Sequence, residues 1–203
     1  GNKHTDVWLM LGDNAYEGGK DDEYQQKVFG NNTYEHVMKN HVLWPTLGNH
    51  DYNNNIPFST YYYFDIFDLP TNAEAGGVAS GEENYYSYNY GNVHFVVLDS
   101  YKESRDSTGT MANWLKQDLT ANQMKWTVIY FHHPPYTKGS HDSDDGILDF
   151  ELPQIRQNLL PIFENFGVDL VLNGHSHSYE RSHLLDGHYG NSSSLTSAMV
   201  LDN

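Results

Sequence analysis

The chain has 203 residues, 11 basic and 27 acidic, for a formal net charge of −16; such a balance argues against non-specific binding to nucleic acid or anionic lipid, and an anionic substrate would need a local cation to draw it in. At 38% hydrophobic and 14% aromatic the chain is not a disordered acidic tail, and no apolar run approaches the ~20 residues that a membrane-spanning helix needs. With no cysteine, thiol nucleophiles, CxxC redox chemistry and cysteine zinc sites are excluded, which leaves His, Asp, Asn, Tyr and Ser to carry any chemistry.

In chain order, Val7 to Leu11 reads as a strand buried on both faces and closed by Gly12-Asp13. Helical spacing of Tyr24, Val28, Tyr34, Val37 and Met38 predicts helix between Asp21 and Lys39, split in two at Gly30-Asn31-Asn32. Val42 to Leu47 is a second apolar run, with Pro45 against it as a strand, closed by Gly48-Asn49-His50-Asp51. Residues 52–84, rich in Asn, Gly and aromatics, are expected to hold little regular structure. A hairpin is predicted from Tyr85–Tyr90 and Val93–Leu98 around Gly91-Asn92. A short amphipathic helix follows from Met111 to Leu119. Trp126 to Phe131 reads as a buried strand closed by His132-His133-Pro134-Pro135, and Leu152 to Phe166 as one helix with Pro153 in its first turn. Val168 to Leu172 is a further buried strand closed by Asn173-Gly174-His175, and a tail strand is expected from Tyr179 to Leu185. Strands alternating with helices give an α/β class in a single domain, with ligands expected beyond the carboxyl ends of the strands of one sheet.

Four polar clusters stand directly after these strands: Gly12-Asp13-Asn14-Ala15-Tyr16, Gly48-Asn49-His50-Asp51, His132-His133 and Gly174-His175-Ser176-His177. Each carries a group able to ligate a metal, and strands of one sheet would deliver all four to one edge. Carboxylate, amide oxygen, imidazole and phenolate together suit Fe, Mn or Zn better than Ca or Mg. Taken singly, the bland readings are a turn or cap carboxylate for Asp13, packing for Tyr16 and a turn residue for Asn49. His175 and His177 alternate on what reads as an extended segment, so both should point one way. That pair is hard to explain as core.

In their order and spacing the clusters resemble those of the calcineurin-like metallophosphoesterases, and within them the purple acid phosphatases: Gly-Asp-x-x-Tyr at 12–16, Gly-Asn-His-Asp at 48–51, the His132 segment with Pro and Tyr following, Gly-His-x-His at 174–177 and the Tyr179-Glu180-Arg181 extension. The resemblance implies a β-sandwich flanked by helices and a dinuclear centre, Fe(III) with Fe(II), Zn or Mn. By resemblance Asp13 bridges both ions, Tyr16 and His177 bind the first, and Asn49, His132 and His175 bind the second. A metal-bound hydroxide would attack a phosphate monoester of a small molecule. His50 would hydrogen-bond the phosphate, and His141 would contact substrate or assist the leaving group; the bland reading of His141 is an exposed loop histidine. His133 is open as to the face it takes, and Arg181 is expected to pair with Glu180 or another nearby carboxylate. The acidic runs Asp21-Asp22-Glu23 and Asp142-Ser143-Asp144-Asp145 read as solvated helix-start or loop charges.

The family pattern also has an Asp in a Gly-Asp-x-Gly-like turn roughly 30 residues before Asp13, one βαβ unit away. Only twelve residues precede Asp13 here. The expectation is therefore a chain incomplete at both ends, lacking the first strand, the last strands and one ligand of the first metal. A phosphodiesterase or nucleotide pyrophosphatase on the same metals, and a non-catalytic binding protein reusing the fold, are the competing readings. A secreted or periplasmic location is the corresponding expectation for the cell.

Overall fold

A computed structural model describes residues 5–30, 33–52 and 61–202. His4, Asn31, Asn32 and residues 53–60, on which part of the expectations fall, lie outside the described residues, as does the side chain of His36. In chain order the elements are β1 (Val7–Met10), α1 (Asp21–Glu23) running into a π-turn (Tyr24–Val28), α2 (Glu35–Met38), β2 (Val42–Pro45), α3 (Tyr62–Ile66), β3 (Tyr86–Tyr90), β4 (Val93–Val97), α4 (Thr110–Ala121), β5 (Trp126–Tyr130), α5 (Glu151–Asn158), α6 (Leu160–Asn165) and β6 (Leu170–Leu172).

The strands form two sheets, as the resemblance implies, so the four polar clusters follow strands of both and not of one sheet. β1 and β2 pair in parallel. The other sheet runs β3-β4-β5-β6, with an antiparallel β3–β4 hairpin and parallel β4–β5 and β5–β6 pairs. Side chains alternate across this sheet with the strand period of two. Val96, Leu98, Ile129 and Phe131 face Met111, Trp114 and Leu115 of α4 and Ile155 and Phe163 of α5 and α6. Phe95, Val97 and Tyr130 face the other way, onto Tyr86, Tyr88, Leu47 and the β1–β2 pair. The result is the α/β arrangement expected from the resemblance, two sheets face to face with helices outside. Trp44 stacks on Tyr88 with ring centroids 3.8 Å apart, and Tyr86 and Tyr130 donate to the carbonyls of Pro45 and Trp44 at 2.7 and 3.1 Å. These buried phenols tie the sheets together and satisfy the carbonyls where Pro45 ends β2.

Several expectations need correction. β1 is half-buried along its whole length and β6 is half-exposed, because among the described residues each has a paired neighbour on one side only. The long helix predicted from Leu152 to Phe166 is two, α5 and α6, joined at Leu159. Pro161 has no N–H to give the carbonyl four residues back, so the helix must restart there. The tail strand from Tyr179 is absent among the described residues; only Leu185 pairs, in an isolated bridge to Val200. Tyr179 is 95% exposed and Leu184 is exposed too, so nothing buries an apolar face that would hold a strand in place.

Candidate metal centre

Residues beyond the carboxyl ends of β1, β2 and β5, with the loop after β6, meet at one place. At the first of these, Gly12 and Asp13 take successive positive φ values of 84° and 50°. This left-handed step turns Asp13 back over the loop that follows β2. There its Oδ1 accepts the His50 backbone N–H at 2.8 Å. The approach is close enough that a Cβ on Gly48 would overlap Asp13 Oδ1, and one on Gly12 would sit 2.5 Å from His132 Nδ1. Only glycine fits at either position.

Asp51 locks the two loops to each other. Its carboxylate accepts the N–H groups of Gly48 at 2.8 Å and Asn14 at 3.0 Å, and the Tyr24 hydroxyl at 2.8 Å. Burial pushes its pKa up to about 6, against the pull of those three donors. The motif reading gave Asp51 no role; its position in the fold makes it the tie between the β1 and β2 loops.

Around Asp13 the donor atoms of four other residues form a continuous run. Asp13 Oδ2 lies 3.1 Å from the Tyr16 hydroxyl and 3.1 Å from His132 Nε2. The Tyr16 hydroxyl lies 3.0 Å from His177 Nε2, and His132 Nε2 lies 3.2 Å from His175 Nδ1. Such spacings match the edges of a coordination polyhedron with bonds of roughly 2.1 Å. The His132 tautomer is fixed from behind: a carbonyl can only accept, so Nδ1 carries the proton that bonds Leu11 O at 2.8 Å. In the neutral ring Nε2 is then a lone pair aimed at a carboxylate oxygen, which a cation between them would relieve. Asn49 Oδ1 is buried with no hydrogen-bond partner among the described residues, a state that costs about 1–3 kcal/mol unless a ligand meets it. Carboxylate, phenol, amide and three imidazoles, one oxygen of them orphaned, therefore fit a pair of transition-metal ions.

The electrostatics agree. Burial works to raise the Asp13 pKa, but the hydrogen bond and charge that His132 supplies when its ring is protonated, together with the His50 N–H, hold it below the usual value. Burial, with His132 and His141 adding repulsion, lowers His175 to about 4, so its imidazole stays neutral and able to ligate in mild acid. Burial and the neighbouring carboxylates Asp13, Asp51 and Glu17 push the Tyr16 phenol well above its ordinary range.

His50 and His141 flank this run. His50 Nδ1 donates to Glu17 O at 2.6 Å and its ring lies 4.6 Å from that of Tyr16; among the described residues its Nε2 has no hydrogen-bond partner. His141 stacks on His175, centroids 3.8 Å apart, and Asp149 Oδ1 accepts from its Nδ1 at 2.9 Å. Both therefore border the centre. Asp149 carries no signal of this role in the sequence, since it sits in an acid-rich stretch with no distinguishing spacing. Beside His141 opens a cleft of about 590 Å³ lined by Lys138, Asp142, Leu148 and Asp149 among others.

One expectation fails here, and one of the two alternatives for Arg181 is not found among the described residues. His175 and His177 do not share an extended segment. His175 has a φ of 64° and the chain turns, so His175 goes to His132 while His177 goes to Tyr16. Glu180 is bound by the Thr137 hydroxyl and by the Lys138 N–H at 2.9 Å, not by Arg181. It thereby fastens the segment after His177 to the one that leads to His141.

The sequence profile of the calcineurin-like phosphoesterases matches residues 1–179. Purple acid phosphatase 15 of Arabidopsis thaliana is 32% identical over 139 residues, which cover 66% of this chain and 24% of the relative. Purple acid phosphatase 1 of Ipomoea batatas is 27% identical over 181 residues, 86% of this chain and 36% of the relative. The solved structure of purple acid phosphatase PPD1 from yellow lupin seeds aligns at 19% identity with a TM-score of 0.49, over 72% of this chain and 27% of that one. The matched stretch thus spans well under half the length of these relatives. Among the described residues no helix is long and apolar enough to cross a membrane.

Proposed function

This chain belongs to the calcineurin-like phosphoesterase family, and we propose that the centre around Asp13 holds two metal ions and hydrolyses phosphate monoesters. The supporting observation is the run of donor atoms from His177 through Tyr16, Asp13 and His132 to His175, spaced 3.0 to 3.2 Å, together with the buried oxygen of Asn49, the residue before His50, which has no hydrogen-bond partner among the described residues. Asp13 would bridge the ions, with Tyr16 and His177 on the first and Asn49, His132 and His175 on the second. When bound, the pair supplies Lewis-acid polarisation of the phosphoryl group and a hydroxide nucleophile in mild acid. A phenolate is a hard, strongly donating ligand, so we assign Fe(III) to the first position and Fe(II), Zn or Mn to the second.

The remaining residues divide the work of binding and proton transfer. His50, anchored through Nδ1, offers Nε2 to a phosphoryl oxygen. His141, anchored on Asp149, offers its other nitrogen to the leaving alkoxide. The cleft beside it receives the organic part of the ester. Positive charge at the centre would supply locally the attraction that a net charge of −16 denies an anionic substrate, the distant carboxylates being screened beyond ~8 Å at physiological salt.

The experiment is metal analysis of the full-length protein combined with parallel assays of nitrophenyl phosphate monoester and diester. Two ions per chain, a visible phenolate-to-iron band that Tyr16→Phe abolishes, and faster monoester hydrolysis are expected. Faster diester hydrolysis moves the reading to a phosphodiesterase; two ions with no turnover moves it to a binding protein.

A further inference from the structure

His133 is a buried histidine that the roles above do not use. It follows His132 and is 2% exposed. Its ring lies 4.4 Å from that of His175 and 4.9 Å from that of His132, and one of its nitrogens falls within 4.8 Å of ligand atoms of both. Proximity alone suggests a third imidazole ligand. The hydrogen bonds behind the ring argue otherwise.

Ser100, three residues beyond β4 and fully buried, touches His133 twice. Its Oγ accepts the His133 backbone N–H at 3.0 Å and lies 2.8 Å from His133 Nδ1. A hydroxyl has one hydrogen to give and two lone pairs. Among the described residues His133 Nδ1 is the acceptor within reach, and a buried hydroxyl that donates to nothing loses about 1–3 kcal/mol. The hydroxyl hydrogen therefore goes to Nδ1, and the ring proton must sit on Nε2. Were the ring doubly protonated instead, Nδ1–H would donate to Oγ and Nε2 would still carry hydrogen. In neither state does Nε2 have a lone pair for a metal. Tyr101 stacks on the ring, 5.8 Å between centroids at 14°, and fixes its plane. Among the described residues Nε2–H has no hydrogen-bond partner.

We propose that His133 is a hydrogen-bond donor to the phosphoryl oxygens of the substrate, its Nε2–H presented beside His132 and His175 and its tautomer set by Ser100. The inference rests on the two-metal reading above and adds a substrate contact on the side of the second ion, opposite His50. It also gives a reason for burying an imidazole there: a donor held on one rigid axis recognises an oxyanion without adding an acceptor to compete for the metals.

Two measurements decide it. In metal-free full-length protein labelled with 15N-histidine, two-bond nitrogen–proton correlations read the tautomer, with His133→Gln assigning the signal. Hydrogen on Nε2 is expected; an Nδ1–H tautomer with bare Nε2 overturns the proposal. In metal-loaded protein, orthophosphate affinity is measured by competition together with metal content. His133→Phe should weaken phosphate binding roughly ten- to a hundredfold at unchanged metal content, the range for a hydrogen bond to a charged group. His133→Gln, which keeps an N–H near the Nε2 position, should recover part of the loss, and Ser100→Ala should fall between. Loss of one ion in His133→Phe, or unchanged phosphate affinity with both ions present, overturns this inference and leaves the proposed function standing. A wild-type protein that binds no metal overturns the proposed function and the phosphate contact together.

Discussion

The two halves of the centre are built differently. On the inner side, Asp13 and His132 are buried at 8% and 1% exposure, and each is held from behind by backbone, the His50 N–H and the Leu11 carbonyl. On the outer side, His177 is exposed and Tyr16 half-buried, and each finds its partner in the other or in Asp13. The inner ligands stand where the core ends, so the packing that makes the sheets also fixes them. The outer ones reach in from loops and, on the proposed function, would depend on the ion to organise them. Position two should accordingly bind its metal in a largely prepared site, and position one should order on loading.

Breaking the shared member gives the largest effect. Asp13→Ala removes the oxygen common to both halves, so both ions and on the order of a thousandfold or more in kcat/KM should be lost, read by metal analysis and nitrophenyl phosphate turnover. Next comes the tie between the β1 and β2 loops. Asp51→Ala strands the Gly48 and Asn14 N–H groups and the Tyr24 hydroxyl. At about 1–3 kcal/mol for each buried orphan, unfolding in urea should show a loss of several kcal/mol. A loss under 1 kcal/mol would mean the loops are held by something else. Finally, single-ligand variants separate the halves. His175→Ala should deplete the second ion and His177→Ala the first, each by at least the 10–100-fold in affinity that even outer contacts can carry. If both variants lose the same ion, the division of ligands is wrong.

How much of this was legible in the sequence follows the same division. β4 and β5, buried on both faces, announced themselves as apolar runs, and the hairpin announced itself at Gly91-Asn92. β1 and β6 also read as runs, but burial on both faces was an overreading, since a strand's neighbours are not written in its own residues. Pro161 marks the helix break in the sequence, but the apolar pattern around it continues across the break and masks it. At the centre, the ligand candidates were legible because their chemistry is unusual at strand ends. Asp51, Asp149 and Ser100 were not, since a carboxylate or hydroxyl that orients a partner looks in sequence like any turn residue. Likewise the directions of His175 and His177 depended on one positive φ at a non-glycine residue, which no spacing rule encodes.

The smallest effect tests the inner half without any metal. His175 is lowered to about 4 by burial and by its histidine neighbours, against roughly 6.5 in an unfolded chain. Between those values the unfolded state takes up a proton that the folded state refuses. Stability therefore falls as pH drops from 6.5 toward 4, and the contribution is intact above 6.5. Asp51, raised to about 6 by burial, acts in the opposite sense: the fold takes its proton first, so this group adds stability as pH falls from 6 toward 3.8. The two oppose each other, and a wild-type curve alone does not separate them. The difference between wild type and His175→Asn does, because Asp51 is common to both. Measured by urea unfolding in chelator, the variant should gain about 2–3 kcal/mol relative to wild type between pH 7 and pH 4.5. Parallel curves would show that His175 is not held neutral by the fold, and that its readiness to bind a metal in mild acid has to come from the metal itself.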